Sequence, residues 1–240
     1  MTMLRLDKYL ADMGVGTRSE VKKMIRSGQV FLNGEAVKKP ETKVDTEQDE
    51  VEADGQTVGY ATVEYIMLNK PQGVVSATQD KRDKTVLDLI EDNMRKDLFP
   101  VGRLDKDTEG LLILTNDGKM AHELLSPKKH IDKTYFVIVE GMVTEEDVKL
   151  FRQGFHVDAE LDAKPSVLEI LESSEFSKVN LTITEGKFHQ VKRMFQAVEK
   201  PVRFLKRIRM GALCLDERLK PGEYRMLTEE EIDLLKKGKA

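Results

Sequence analysis

No uninterrupted apolar run in this chain of 240 residues is longer than the five residues Tyr135–Val139. A membrane-spanning helix needs roughly 20 such residues, so no span is expected. Nor can a long helix be apolar all round, and the core must be assembled from short, half-apolar pieces. Apolar residues make up 40% of the chain and charged ones 34%, the balance of a folded rather than a disordered protein. At roughly 150 residues per domain, the length allows one large domain or two unequal ones. The opening MTMLRLDKYLADMG lacks the apolar core of roughly 7–15 residues that a signal peptide requires. The single cysteine, Cys214, excludes an internal disulfide and a cysteine-cluster metal site, and it fits a reducing cytoplasm.

Charge is distributed in blocks. Residues 1–43 carry nine Lys/Arg against five Asp/Glu, residues 44–64 carry seven acids and no base, and residues 178–209 carry nine bases against two acids. The net charge of −4 therefore conceals two basic zones that could attract an anionic polymer. The acidic stretch is the best boundary, and it divides the chain into domains at 1–60 and 61–240.

The first part reads as two helices and a few strands. Leu6, Tyr9, Leu10 and Met13 have the i, i+3, i+4, i+7 spacing of an amphipathic helix. Thr17 and Glu20 form a capping box for a second helix over about Arg18–Ser27. Asn33-Gly34 and Asp54-Gly55 are two-residue hairpin signals. On the second helix, at about 100° per residue, Lys22, Arg26 and Lys23 fall within about 140° of Arg18. Val21, Met24 and Ile25 fill the opposite arc. The basic arc is either a solvated face or a set of phosphate contacts.

The second part is rich in strands with interspersed helices. VEYIML and VVSAT flank a turn at Lys70-Pro71-Gln72-Gly73, and LLILT, KTYFVIVEG, VLEIL and VNLTIT read as strands. Thr85 with Asp88, Thr144 with Asp147, and Thr228 with Glu231 are helix caps, and FHQVKRMFQAV reads as a helix. Strand and helix do not alternate strictly, so the expected class is α+β with a mixed, mostly antiparallel sheet.

Common catalytic signatures are missing. The histidines at 122, 130, 156 and 189 have no ligand spacing on a shared helix, so no metal site is expected. There is no GxxxxGK[ST] loop, no complete dinucleotide fingerprint and no GxSxG elbow, and no cofactor is expected. The most informative stretch is FPVGRLDKDTEGLLILTNDG. Here Arg103 and Asp105 sit two apart beside a turn at Gly102, and a neighbouring guanidinium would favour an ionised carboxylate. From the residues alone, Asp105 is either such a carboxylate or a hydrogen-bonded turn residue.

RLDKYLADMGVGTRSEVKKMIRSGQVFLNGEAV resembles the S4 RNA-binding domain. Gly102-Arg103-Leu104-Asp105-x-Asp107-Thr108-x-Gly110-Leu111-Leu112 resembles the signature of pseudouridine synthases of the RsuA/RluB type. Met67–Gly73, Lys133-Thr134-Tyr135, Glu185–Phe195 and Gly222-Glu223-Tyr224-Arg225 agree with that family in order and separation. The resemblance implies cofactor-free isomerisation of uridine to pseudouridine in ribosomal RNA. It makes Asp105 the catalytic residue and gives substrate-binding roles to Arg103, Tyr135 and Lys192. RNA contact would come from Arg18, Lys22, Lys23 and Arg26 in the S4 domain, and from Arg193 and the rest of the zone 178–209 beside the cleft. It also implies ribosomal RNA or a subunit assembly intermediate as partner; a monomer is the default, and the short apolar runs and lone cysteine lead to an expectation of no membrane and a cytoplasmic location. The wording His189–Phe195 favours small-subunit RNA, with large-subunit RNA as the alternative. A non-catalytic RNA-binding assembly protein is the competing reading.

Overall fold

The computed structural model describes residues 3–60, 63–90, 97–126 and 129–237. They form two compact units. One draws its described residues from Met1–Glu64 and Ile90–Leu98, the other from Tyr65–Leu89 and Phe99–Ala240.

The first unit begins with β1 (Met3–Arg5), α1 (Leu6–Asp12) and α2 (Arg18–Arg26). Four strands follow, β2 (Val30–Leu32), β3 (Glu35–Ala36), β4 (Lys43–Asp45) and β5 (Val51–Ala53), and then β6 (Gln56–Thr57). β1 pairs with β4, and the others form a sheet in the order β3-β2-β5-β6. The two hairpin turns need left-handed backbone, and the chain supplies residues that tolerate it: Asn33 (φ 52°) with Gly34 (φ 80°), and Asp54 (φ 50°) with Gly55 (φ 74°). The capping box of α2 is formed, with Glu20 N–H donating to Thr17 Oγ1 and Thr17 N–H to Glu20 Oε2. Val21 and Ile25 are wholly buried against Leu6, Tyr9 and Leu10, and each contributes about 2 kcal/mol. Arg18, Lys23 and Arg26 stay exposed, whereas Lys22 is half-buried, 3.8 Å from buried Asp7.

The second unit is built on one sheet of nine strands. Its strands are β7 (Tyr65–Lys70), β8 (Phe99–Pro100), β9 (Glu109–Thr115), β10 (Lys133–Glu140), β13 (Val167–Glu172), β14 (Phe176–Ile183), β15 (Val202–Met210), β16 (Leu213–Cys214) and β17 (Tyr224–Met226). The order is β13-β14-β10-β15-β9-β7-β17, with β8 on β9 and β16 on β15. A separate hairpin joins β11 (Phe155–Asp158) to β12 (Leu161–Ala163). Helices α3 (Gly118–Leu125), α4 (Glu145–Gln153), α5 (Gln190–Ala197) and α6 (Glu229–Lys237) complete it. Tyr65, Met67, Leu111 and Ile113 pack with Met120 and Leu124 of α3 and Leu235 of α6 as one core. Phe151 of α4 packs on Phe155 and on Phe195 of α5, each pair of ring centroids 5.1 Å apart.

After the turn at Lys70–Gly73, VVSAT forms no strand: Val75 makes one bridge to Thr85, and Ser76 turns its hydroxyl onto Leu104. Asp117 accepts from Met120 N–H and starts α3. One strand escapes the sequence reading. β15 was not legible, since Arg203, Lys206, Arg207 and Arg209 break up its apolar pattern.

The pairing of β9 with β15 is parallel, at Lys206↔Glu109 and Arg207↔Gly110, and joins two otherwise antiparallel halves of the sheet. Gly110 has φ 104°, and a Cβ there would lie 2.2 Å from the carbonyl oxygen of Arg207. Only glycine lets the strands meet. The buried Arg207 side chain closes the joint by donating Nε–H to the Leu111 carbonyl at 2.8 Å. Gly110→Ala should therefore lower unfolding stability by about 3 kcal/mol or more, measured by denaturant titration, because backbone rather than a flexible side chain blocks the methyl group.

Candidate active site

The loop from Val101 to Thr108 leads into β9 at this parallel joint. Lys70, the last residue of β7, lies beneath it and is wholly buried. An ammonium has three donors. Those of Lys70 meet the carbonyls of Pro71 (3.0 Å), Asp105 (2.9 Å) and Thr108 (2.9 Å). Gly73 N–H donates to the Lys106 carbonyl at 2.8 Å. Ser76 Oγ donates to the Leu104 carbonyl and accepts from Leu104 N–H. The peptides on both sides of Asp105 are thus tied to residues 70–76. Burial pushes Lys70 down to about 8, against the attraction of Asp105, Asp107 and Glu109.

The Asp105 side chain, about a quarter exposed, faces α5. Its Oδ2 accepts from Lys192 Nζ at 2.9 Å, while its Oδ1 is 3.6 Å from His189 Nε2. The second distance is too long for a hydrogen bond, so Oδ1 is open to the cleft. Lys192 also binds Asp107 Oδ1 at 2.6 Å. Burial works against the charge on Lys192, but its bonds to Asp107 and Asp105 outweigh it and leave this ammonium above its ordinary value. Burial likewise tends to raise Asp107, but the Lys192 contact prevails and holds it low.

Tyr135 is buried on β10 and lines a recess of about 70 Å³ with Asp105, Thr108, Ile183 and Leu205. The recess shares Arg103, Asp105, Lys187 and His189 with a wider cleft of about 540 Å³. Asp105, Tyr135, Lys192 and Arg103 are thus brought together. Arg103 is exposed on the wall, and the cation that pairs with Asp105 is Lys192.

Arg193 is placed differently from expectation. Its guanidinium grips Asp158 with both arms, Nε to Oδ2 at 2.7 Å and Nη2 to Oδ1, which ties α5 to the β11–β12 hairpin rather than presenting a free charge to phosphate. The zone 178–209 is corrected in the same way. Lys178, Lys192, Arg193, Lys200 and Arg203 pair with Glu172, Asp105 and Asp107, Asp158, Asp147 and Glu140, acids that lie outside that window. Arg207 is buried, and Lys206 and Arg209 border a different cavity, so the exposed cations of the cleft wall are Lys187, Arg103 and Lys106, the last paired with Asp83. Lys70 had no role in the sequence reading. Its signal was a lysine closing a strand that opens with four apolar residues, YIMLNK.

Among the described residues, no cluster of His, Cys, Asp and Glu could hold a metal ion, and no helix is long and apolar enough to cross a membrane.

Comparison with known proteins agrees across nearly the whole length. The family model for RNA pseudouridylate synthase matches residues 64–197, and that for the S4 domain matches residues 4–51. An uncharacterized RNA pseudouridine synthase of Bacillus subtilis, YtzG, is 48% identical over 239 residues, 99% of this chain and 100% of the relative. Ribosomal small subunit pseudouridine synthase A of Escherichia coli strain K12 is 42% identical over 231 residues, 95% of this chain and 98% of the relative. A crystal structure of a pseudouridylate synthase superposes with a TM-score of 0.68 at 40% identity, covering 97% of this chain and 99% of that one.

Lys70→Met should cost about 3 kcal/mol or more at neutral pH, since buried carbonyls lose their donor. The proton balance of Lys70 also makes stability depend on pH. With Lys70 at about 8 when folded and its ordinary value at 10.5, the native state binds fewer protons than the unfolded state between those values. Its contribution to unfolding stability therefore rises with pH across that window. Denaturant titrations at pH 8 and pH 10 should show a steeper rise for the wild type than for Lys70→Met.

Proposed function

This chain belongs to the RNA pseudouridylate synthase family, and we propose on that footing that it isomerises uridine to pseudouridine in small-subunit ribosomal RNA. The observation that carries the reading is the constellation at the parallel joint: Asp105 held by Lys192, with Tyr135 lining the recess beside it. The reaction breaks the bond from N1 to C1′, turns the uracil and joins C5 to C1′. The C5 proton is removed, N1 gains a proton in its place, and there is no net oxidation or reduction. A carboxylate suits this work because it can attack an electrophilic carbon and leave again.

The division of labour follows from the geometry. Lys192 fixes one oxygen of Asp105 and leaves the other facing the cleft. Tyr135, Leu205 and Ile183 offer an apolar wall for an everted base. Everting a paired base costs a few kcal/mol. Contacts from the exposed cations Arg103 and Lys187 help offset that, and the exposed Arg18, Lys23 and Arg26 of α2 give the S4 unit its own grip on phosphate. In this reading the protein works as a monomer on ribosomal RNA or an assembling subunit, in the cytoplasm.

Asp105→Asn keeps the size of the side chain and removes the nucleophile. Pseudouridine formation in small-subunit RNA should fall at least about a thousandfold, while RNA affinity changes less than about threefold. Chemical mapping of pseudouridine, paired with filter binding, tests both arms, and product from the variant would remove Asp105 from the mechanism. Replacing Arg18, Lys23 and Arg26 together by Gln should weaken RNA binding and reduce the slope of log affinity against log salt by about 2–3.

A further inference from the structure

The rim of the cleft carries an aromatic side chain that the chemistry above does not use. Phe188 is 73% exposed. One face of its ring is stacked on the imidazole of His189, with centroids 3.8 Å apart and planes 19° from parallel. The Nε2 edge of that imidazole lies 3.6 Å from Asp105 Oδ1. The stacked pair therefore sits beside the carboxylate and leaves most of the Phe188 ring in solvent.

The turn that presents Phe188 is held from several sides. Gln190 is buried, and its Oε1 accepts Lys187 N–H at 3.0 Å while its Nε2 donates to Glu185 at 2.7 Å. Glu185 in turn accepts from Lys164 N–H. The Phe188 carbonyl accepts from Arg193 Nη1, so the ion pair to Asp158 also steadies this turn. An apolar ring kept in water by so many contacts is prepared for a partner that is flat, π-rich and attached to anions. Lys187 and Arg103 line the same cleft and supply charges for those anions.

The inner recess beside Asp105 shares Arg103, Asp105, Lys187 and His189 with the wider cleft, so a base entering the recess passes close to Phe188 on the cleft wall. Eversion leaves the neighbouring base without its stacking partner. We propose that Phe188, backed by His189, is the stacking platform for the RNA base adjacent to the target uridine. Stacking on an aromatic side chain accepts any base, so the platform positions the strand and does not read its sequence. This inference rests on the pseudouridine synthase reading, and its test separates the two.

The chain contains no tryptophan, so Phe188→Trp installs a single reporter. Titration with small-subunit ribosomal RNA should quench its emission by about half or more, as base stacking requires. Phe176→Trp, at a residue 48% exposed on β14, should not respond. Phe188→Leu keeps apolar bulk without a π-face and should weaken RNA binding about tenfold, whereas Phe188→Tyr stays within about twofold. Unfolding midpoints should match the wild type, because the side chain is exposed. An unquenched reporter, or wild-type affinity for Phe188→Leu, in an enzyme that still forms pseudouridine overturns the platform and leaves the catalytic reading standing. If the wild type forms no pseudouridine in that RNA, the catalytic reading falls and the platform falls with it.

Discussion

A single buried ammonium organises the catalytic half of this molecule. Lys70 sits at the end of a strand whose neighbours are apolar, and its three donors meet three backbone carbonyls, two of them at Asp105 and Thr108. The loop that carries Asp105 is wrapped around this charge rather than held by its own secondary structure. Burying an unpaired cation is costly, and carbonyl dipoles are what make it tolerable here. Without the lysine the Pro71 and Thr108 carbonyls would lose this donor, and the Asp105 carbonyl would keep only Thr108 N–H. Loop and lysine therefore need each other, and an irregular segment acquires the rigidity that a reacting carboxylate needs.

The parallel joint turns that rigid loop into a site. β9 and β15 meet over two residue pairs, and Gly110 is the position where their backbones come too close for a side chain. β15 lies next to β10, which carries Tyr135, and α5, which precedes β15, carries Lys192. Asp105, Tyr135 and Lys192 are far apart in sequence, and this joint is why they share one recess.

Electrostatics in the folded unit differ from the charge map of the chain. A count along residues 178–209 shows a strongly basic zone, yet five of its nine bases are paired with acids from elsewhere in the sequence. What remains at the cleft is a few exposed cations, Arg103, Lys187 and the Asp83-paired Lys106, around the paired Lys192. Arg193 illustrates the point. It follows Lys192 on α5, but Asp158 on a hairpin that the sequence did not reveal takes its guanidinium. Charge spacing along a chain predicts a field only when the acids brought in by tertiary contacts are known.

Local rules were enough for much of the architecture. Capping boxes at Thr17 and Thr144, hairpins at Asn33-Gly34 and Asp54-Gly55, and the strands around Tyr135 and Val179 depend on residues within a few positions of one another, and all of them formed. The position of Asp105 as the candidate carboxylate was legible only through motif resemblance, because an isolated turn aspartate has no distinguishing local signal. Other features depended on long-range contact. The partner of Asp105, the burial of Lys70, the strand at Val202–Met210 and the occupation of Arg193 are set by residues 35 to 87 positions away, or by a sheet neighbour from another part of the chain. Amino-acid order by itself determined which short pieces form and which residue types are available, since those follow from backbone propensity and side-chain chemistry. Only the tertiary structure decided which charge meets which, because pairing depends on distances that chain separation does not encode.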